Sequence, residues 1–157
     1  MSEYKNFEYD FIKRTIHILE SYEGIYDVTS LINNCVGLLV LPKELLNEKL
    51  PLEILNDSEK IFGIKRQNIK FIKLENESLK FENYDEYNIR NVVTHMRNAI
   101  SHGHIKQESI VSGEIESLHF EDWLNNKNTF EAILSVNEFK EFAVLIAKEV
   151  LKSETRR

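Results

Sequence analysis

Between Glu86 and Gly103 the apolar residues Ile89, Val92, Val93, Met96, Ala99 and Ile100 recur three or four places apart, and Gly103 stands where a left-handed helix cap belongs. A stripe of this period demands a helix with one face buried, so the chain must supply other elements to cover it. Three further segments answer. Phe7, Phe11, Ile18, Leu19 and Tyr22 repeat the helical spacing ahead of Gly24. Asp27 is a good N-cap for a second helix carrying Val28, Leu31, Ile32, Cys35, Leu38 and Leu39, with a break expected at Pro42. The last helix opens on Ser135 and Glu138, spaced as a capping box, and stripes Phe139, Phe142, Ala143, Ile146, Ala147 and Val150 along one side. The second helix is apolar almost all round, which calls either for the centre of a bundle or for a face against a second subunit.

The remaining segments are less regular. From Asn47 to Glu86 the pattern is poor, broken by Pro51 and Asn56-Asp57-Ser58 and carrying mixed charge from Lys60 to Lys80, and it reads as loops and short helices on a solvated surface. Leu118-His119-Phe120 and Thr129 to Ile133 are short β-prone pieces around the polar run Asn125-Asn126-Lys127-Asn128, the pattern of a small hairpin before the last helix. A chain of 157 residues hides about 70% of its unfolded surface, enough for one core, so a single domain over residues 1–157 is expected.

Composition narrows the function classes. No signal-like opening is present, and the longest apolar run, Cys35 to Leu41, is too short to cross a bilayer. Lone Cys35 has no internal disulfide partner and fits a reducing cytoplasm. A net charge of -6 argues against holding nucleic acid through the overall field, so any RNA contact must be local.

One stretch offers such a contact. From Tyr87 to Gln107 there is no Asp or Glu, while Arg90, Arg97, Lys106 and three of the five His fall inside it. Two polar rows lie opposite the apolar stripe: Arg90, Thr94, Arg97 and Ser101, and beside them Asn91, His95, Asn98 and His102. RNA carries its own nucleophile in the 2′-hydroxyl, so cleavage needs only a proton acceptor or donor and a cation for the phosphorane. Imidazole, with a pKa of about 6.5, suits the first task. The planar, permanently charged guanidinium suits the second. Arg97 and His102 are about 140° apart on an ideal helix and converge only where the helix ends, which Gly103 favours. Asn98, one turn before His102, has an amide that could fix the imidazole's tautomer or bind the same phosphate. Spacing alone does not choose this pair, because Arg90 and His95 have the same form and Arg97 with His104 satisfies a looser one. Arg97 with His102 is preferred because Gly103 places that His at an exposed helix end. The plainer role for His102 is a helix-capping imidazole. For Arg90 and His95 a solvated or interface role comes first and substrate positioning second. Ser101, His104 and Lys106 complete the expected RNA contacts. A metal at His102 and His104 is rejected, since no carboxylate or Cys lies nearby in sequence, and no cofactor is expected.

The string Arg97-Asn98-Ala99-Ile100-Ser101-His102-Gly103, late in a helical chain, resembles the signature of the HEPN superfamily (higher eukaryotes and prokaryotes nucleotide-binding). Asp27-Val28-Thr29-Ser30-Leu31-Ile32-Asn33-Asn34-Cys35, followed by Gly37 to Glu44, is similar to a prokaryotic, partly plasmid-borne branch of it. The resemblance implies an all-α fold, an up-and-down bundle of about four to five helices, here with the small β-hairpin added. It also implies a two-fold homodimer bringing both motifs to one cleft, and a metal-independent endoribonuclease acting through the 2′-hydroxyl as a toxin or anti-phage effector, with a cognate antitoxin protein as a further partner. By motif position it makes Arg97, Asn98 and His102 catalytic, and it leaves Asn33 and Asn34 as residues that could line the cleft. A non-catalytic module binding a nucleotide, RNA or a protein is the alternative.

Overall fold

The computed structural model describes residues 3–24, 27–72, 87–111 and 113–154. Helix α1 spans Phe7–Ser21 and α2 Asp27–Leu45, and strand β1 is Ile69–Phe71. Helix α3, Ile89–Ser101, leads into β2 (Ile105–Val111), β3 (Glu114–Leu124) and β4 (Lys127–Ser135), and α4 spans Val136–Leu151. Single 3-10 turns lie at Asn47–Lys49 and Arg66–Asn68.

The four strands form one antiparallel sheet in the order β1-β4-β3-β2, so the fold is mixed α and β and the all-α bundle is overturned. The expected hairpin is real but is only the middle of that sheet. Asn125 and Asn126 both take positive φ, 49° and 62°, the backbone that a two-residue hairpin turn requires and that Asn tolerates. Along β3 and β4 the side chains alternate between the two faces: Leu118, Phe120 and Asp122 pair with Leu134, Ala132 and Phe130 on the inner face. His119 and Glu121, with Ile133 and Glu131 across from them, stand on the outer face. Two edge strands escape a reading of local pattern. Strand β1 has three residues, and β2 opens Ile105-Lys106-Gln107-Glu108, one apolar residue in four, and is held by its pairing to β3.

Helix α3 packs on β3, α4 touches β3 and β4, and α2 packs against α1, α3 and α4. Helix α2 is therefore the hub of the helical layer, which accounts for its wide apolar circumference without a second chain. It also runs through Pro42 to Leu45 instead of breaking there. Pro42 lies in the last turn, where only one backbone hydrogen bond is forfeited. Cys35 of α2 is fully buried, and that burial pushes its thiol up to about 12. The stripe of α4 is buried as expected, as is that of α3 apart from half-buried Ile100, and the Ser135 and Glu138 capping box forms, with Ser135 Oγ accepting from the Glu138 amide at 3.0 Å. The stripe expected on α1 is not the buried one: Phe7, Ile18 and Tyr22 are exposed, and Tyr9, Ile12, Thr15, Ile16 and Leu19 face the core. Of the segment from Asn47 to Glu86, the part from residue 73 onward, including Lys73 and Lys80, lies outside the described residues. None of the described helices is long and apolar enough to cross a membrane.

Candidate functional site

The C-terminal turn of α3 carries the chemistry-bearing residues, and its geometry follows from Gly103. With φ of 70°, Gly103 turns the chain so that its amide donates to the Ile100 carbonyl at 3.1 Å and the His104 amide to the Ala99 carbonyl at 2.8 Å. This is the Schellman pattern. The His102 amide donates to the Asn98 carbonyl at 3.0 Å. Backbone groups thus close the helix, and the capping task open to an imidazole is already filled. The His102 ring is exposed, with the His104 ring 6.1 Å away between centroids. His104 in turn meets the Trp123 ring at 6.1 Å, and its Nδ1 is buried with no hydrogen-bond partner among the described residues. Ser101 is exposed beside it.

Arg97 lies one turn back and is held by α2. Its Nε sits 2.9 Å from Oε1 of Glu44, a charge contact whose N–H direction does not make a hydrogen bond. No hydrogen bond or ion pair joins Arg97 to His102 within the chain, among the described residues. Asn98 faces the other way. Its Nδ2 donates to Oδ2 of Asp122 at 2.9 Å, and the same oxygen lies 2.7 Å from Nδ1 of His95. The Asn98 amide nitrogen is therefore engaged with the sheet, away from the His102 ring.

Asp122, on the inner face of β3, is the residue missed in the sequence. Burial pushes its carboxyl pKa up, but the hydrogen bonds from His95 and Asn98 and the His95 charge outweigh that and hold it below the usual carboxylate value. His95 is further fixed by stacking on Phe130 at 5.0 Å and 15° and by the edge of Phe71 at 5.3 Å. Arg90 is likewise committed, one terminal nitrogen donating to the carbonyls of Glu48 and Leu50 at 3.0 Å each. Lys106 reaches Glu121 at 2.9 Å. That contact, ahead of the one from Trp123, overcomes the effect of burial and lowers the Glu121 pKa. The stretch free of acids is thus supplied with carboxylates in space: Glu44 for Arg97, Asp122 for His95, Glu121 for Lys106. In α2, the Asn34 amide donates to the Ser30 carbonyl at 2.7 Å, a local contact, and Asn33 is exposed.

The chain is a HEPN module, as its match to a HEPN family model shows. The particular family follows from the chain as a whole: the family model HEPN pEK499 p136 matches residues 1–157, and the chain belongs to that family. No curated protein matches the chain, and no solved structure does.

Proposed function

We propose that this chain is a metal-independent endoribonuclease that cleaves RNA through the 2′-hydroxyl, a cytoplasmic toxin or anti-phage effector restrained by a cognate antitoxin protein. The observation that carries the reading is that the α3 terminus is closed by backbone hydrogen bonds alone, leaving the His102 imidazole exposed and without a structural task. His102 acts as general acid or base. Arg97 stabilises the phosphorane. Its contact with half-exposed Glu44 is of a kind worth about 0–1 kcal/mol, so a phosphate offering two oxygens displaces it. Asn98 acts as a positioning residue, locking the last turn of α3 to Asp122 on β3. Ser101, His104 and Lys106 line the approach to the RNA, and Arg90 and His95 hold the scaffold behind it. Two chains related by a two-fold axis bring a second Arg97 and His102 to the same cleft, which gives Arg97 of one copy access to His102 of the other.

The test is single-stranded RNA in EDTA with wild type and His102→Ala. The expected outcome is 2′,3′-cyclic phosphate ends with wild type and a loss of about 10²–10⁴-fold with the variant. A second reading, a binding module without catalysis, is favoured by the fact that Arg97 and Asn98 both have partners inside the chain. Equal cleavage by the two proteins, or none by either, selects it.

A further inference from the structure

The outer face of the sheet, opposite Asp122, holds a second cluster. His119, Glu121 and Glu131 each offer a ligand atom, all within 4.8 Å of one another. Their convergence is a product of strand register: His119 and Glu121 are two apart on β3 and so share a face, and Glu131 of β4 is the cross-strand partner of Glu121. We propose that these three residues form a binding site for a divalent first-row cation of the Zn²⁺ type, clamping β3 to β4.

Three features favour an ion over a plain polar patch. First, Nε2 of His119 is buried without a hydrogen-bond partner among the described residues, and it faces Oε1 of Glu121 at 3.8 Å. That is too long for a hydrogen bond, yet close to the roughly 3.3 Å between donors around a tetrahedral zinc. Second, each donor group is oriented by another residue. Glu108 lies 3.4 Å from Nδ1 of His119, so a carboxylate faces the ring nitrogen that an ion on Nε2 would leave free. The Trp123 indole donates to Oε2 of Glu121 at 3.3 Å and Asn128 Nδ2 to Oε1 of Glu131 at 2.8 Å, which leaves Oε1 of Glu121 for the ion and Oε2 of Glu131 facing only the Lys70 amine at 4.0 Å. Such outer partners are what fix ligands in metal sites. Third, imidazole with two carboxylates suits Zn²⁺ and its neighbours better than Ca²⁺ or Mg²⁺, leaving a fourth position for water. Lys106 and Lys70 stand beside the cluster, but both are mostly exposed and free to turn outward as the dication enters.

The site shares Lys106 with the ribonuclease reading but does not rest on it, and its test does not use activity. Protein stripped with EDTA and freed of chelator is titrated calorimetrically with Zn²⁺, with thermal unfolding followed in parallel. Wild type is expected to bind a single ion per chain and to melt higher with it. His119→Ala and Glu131→Gln are each expected to weaken binding by at least about tenfold, and Glu108→Gln by about tenfold. The His102→Ala/His104→Ala double variant keeps the affinity. Circular dichroism checks each fold, and should His119→Ala fail to fold, Glu131→Gln decides. No uptake by wild type, or uptake that persists in Glu131→Gln, or loss in the His102/His104 variant, overturns the site.

Discussion

Asp122 binds two side chains of α3 with a single oxygen, and nothing near it in sequence announces this. It stands in the run Phe120-Glu121-Asp122-Trp123, next to a second acid that faces the other way. Only period-two alternation, which turns Asp122 inward with Phe120 and Glu121 outward, separates their roles. Replacing buried Asp122 with Ala leaves the His95 and Asn98 donors unmet and is expected to cost about 1–3 kcal/mol in urea unfolding. Its pH dependence has a definite sign. The carboxyl pKa is lower in the folded chain than in the unfolded one, where it is about 3.9. The stabilisation is therefore fully present above that unfolded value and disappears as pH falls through the folded one. The difference between wild type and Asp122→Ala should be present at about pH 5 and close below about pH 4. A difference that stays open at low pH would assign the cost to lost packing instead of charge.

At the scale of elements, the existence of the helices was legible because their information is local, although the buried face of α1 is Tyr9, Ile12, Ile16 and Leu19 and not the Phe7, Ile18 and Tyr22 stripe. The stripes of α3 and α4 and the Ser135 capping box are written within a few residues of each other, and each formed where its spacing placed it. The sheet was only half legible. The turn chemistry of Asn125 and Asn126 marked the β3–β4 hairpin, whereas β1 and β2 depend on partners distant in sequence and carry too few apolar residues to declare themselves. The same gap hid the outer-face cluster, whose only local trace is the His119-x-Glu121 spacing. Between helix and sheet sits Gly103, the residue that ends α3 and starts the approach to β2. A Cβ there meets nothing within 4 Å, so Gly103→Ala suffers backbone strain without a clash. The expected loss is about 1–2 kcal/mol, measured by urea unfolding, with Gly103→Asn recovering part of it because Asn tolerates the left-handed region. Equal losses for Ala and Asn would point to a helix end that has moved rather than one that is strained.

At the scale of the whole molecule, the separation of Arg97 from His102 becomes informative. Within one chain the guanidinium is drawn to Glu44 on α2 and the imidazole projects beyond the last turn of α3, with no hydrogen bond between them among the described residues. A site built wholly inside one chain must then rearrange on binding RNA. A site shared across a two-fold axis needs only that each copy offer its Arg to the other's His, and a symmetric interface does this twice. The two arrangements predict different outcomes when inactive variants are mixed. In an equimolar mixture of Arg97→Ala and His102→Ala, half of the randomly reassorted dimers are mixed. In a shared-site geometry each mixed dimer keeps one pairing with both residues intact and one with neither. Cleavage should return to about a quarter of the wild-type rate, from two preparations that are each inactive. If each chain builds its site alone, every site in the mixture lacks one residue and cleavage stays at the level of the separate variants. Sedimentation of the mixture at twice the mass of the 18.5 kDa chain shows that the copies are paired, so that a failure to recover activity counts against the shared site and not against exchange alone once tagged chains are seen to mix.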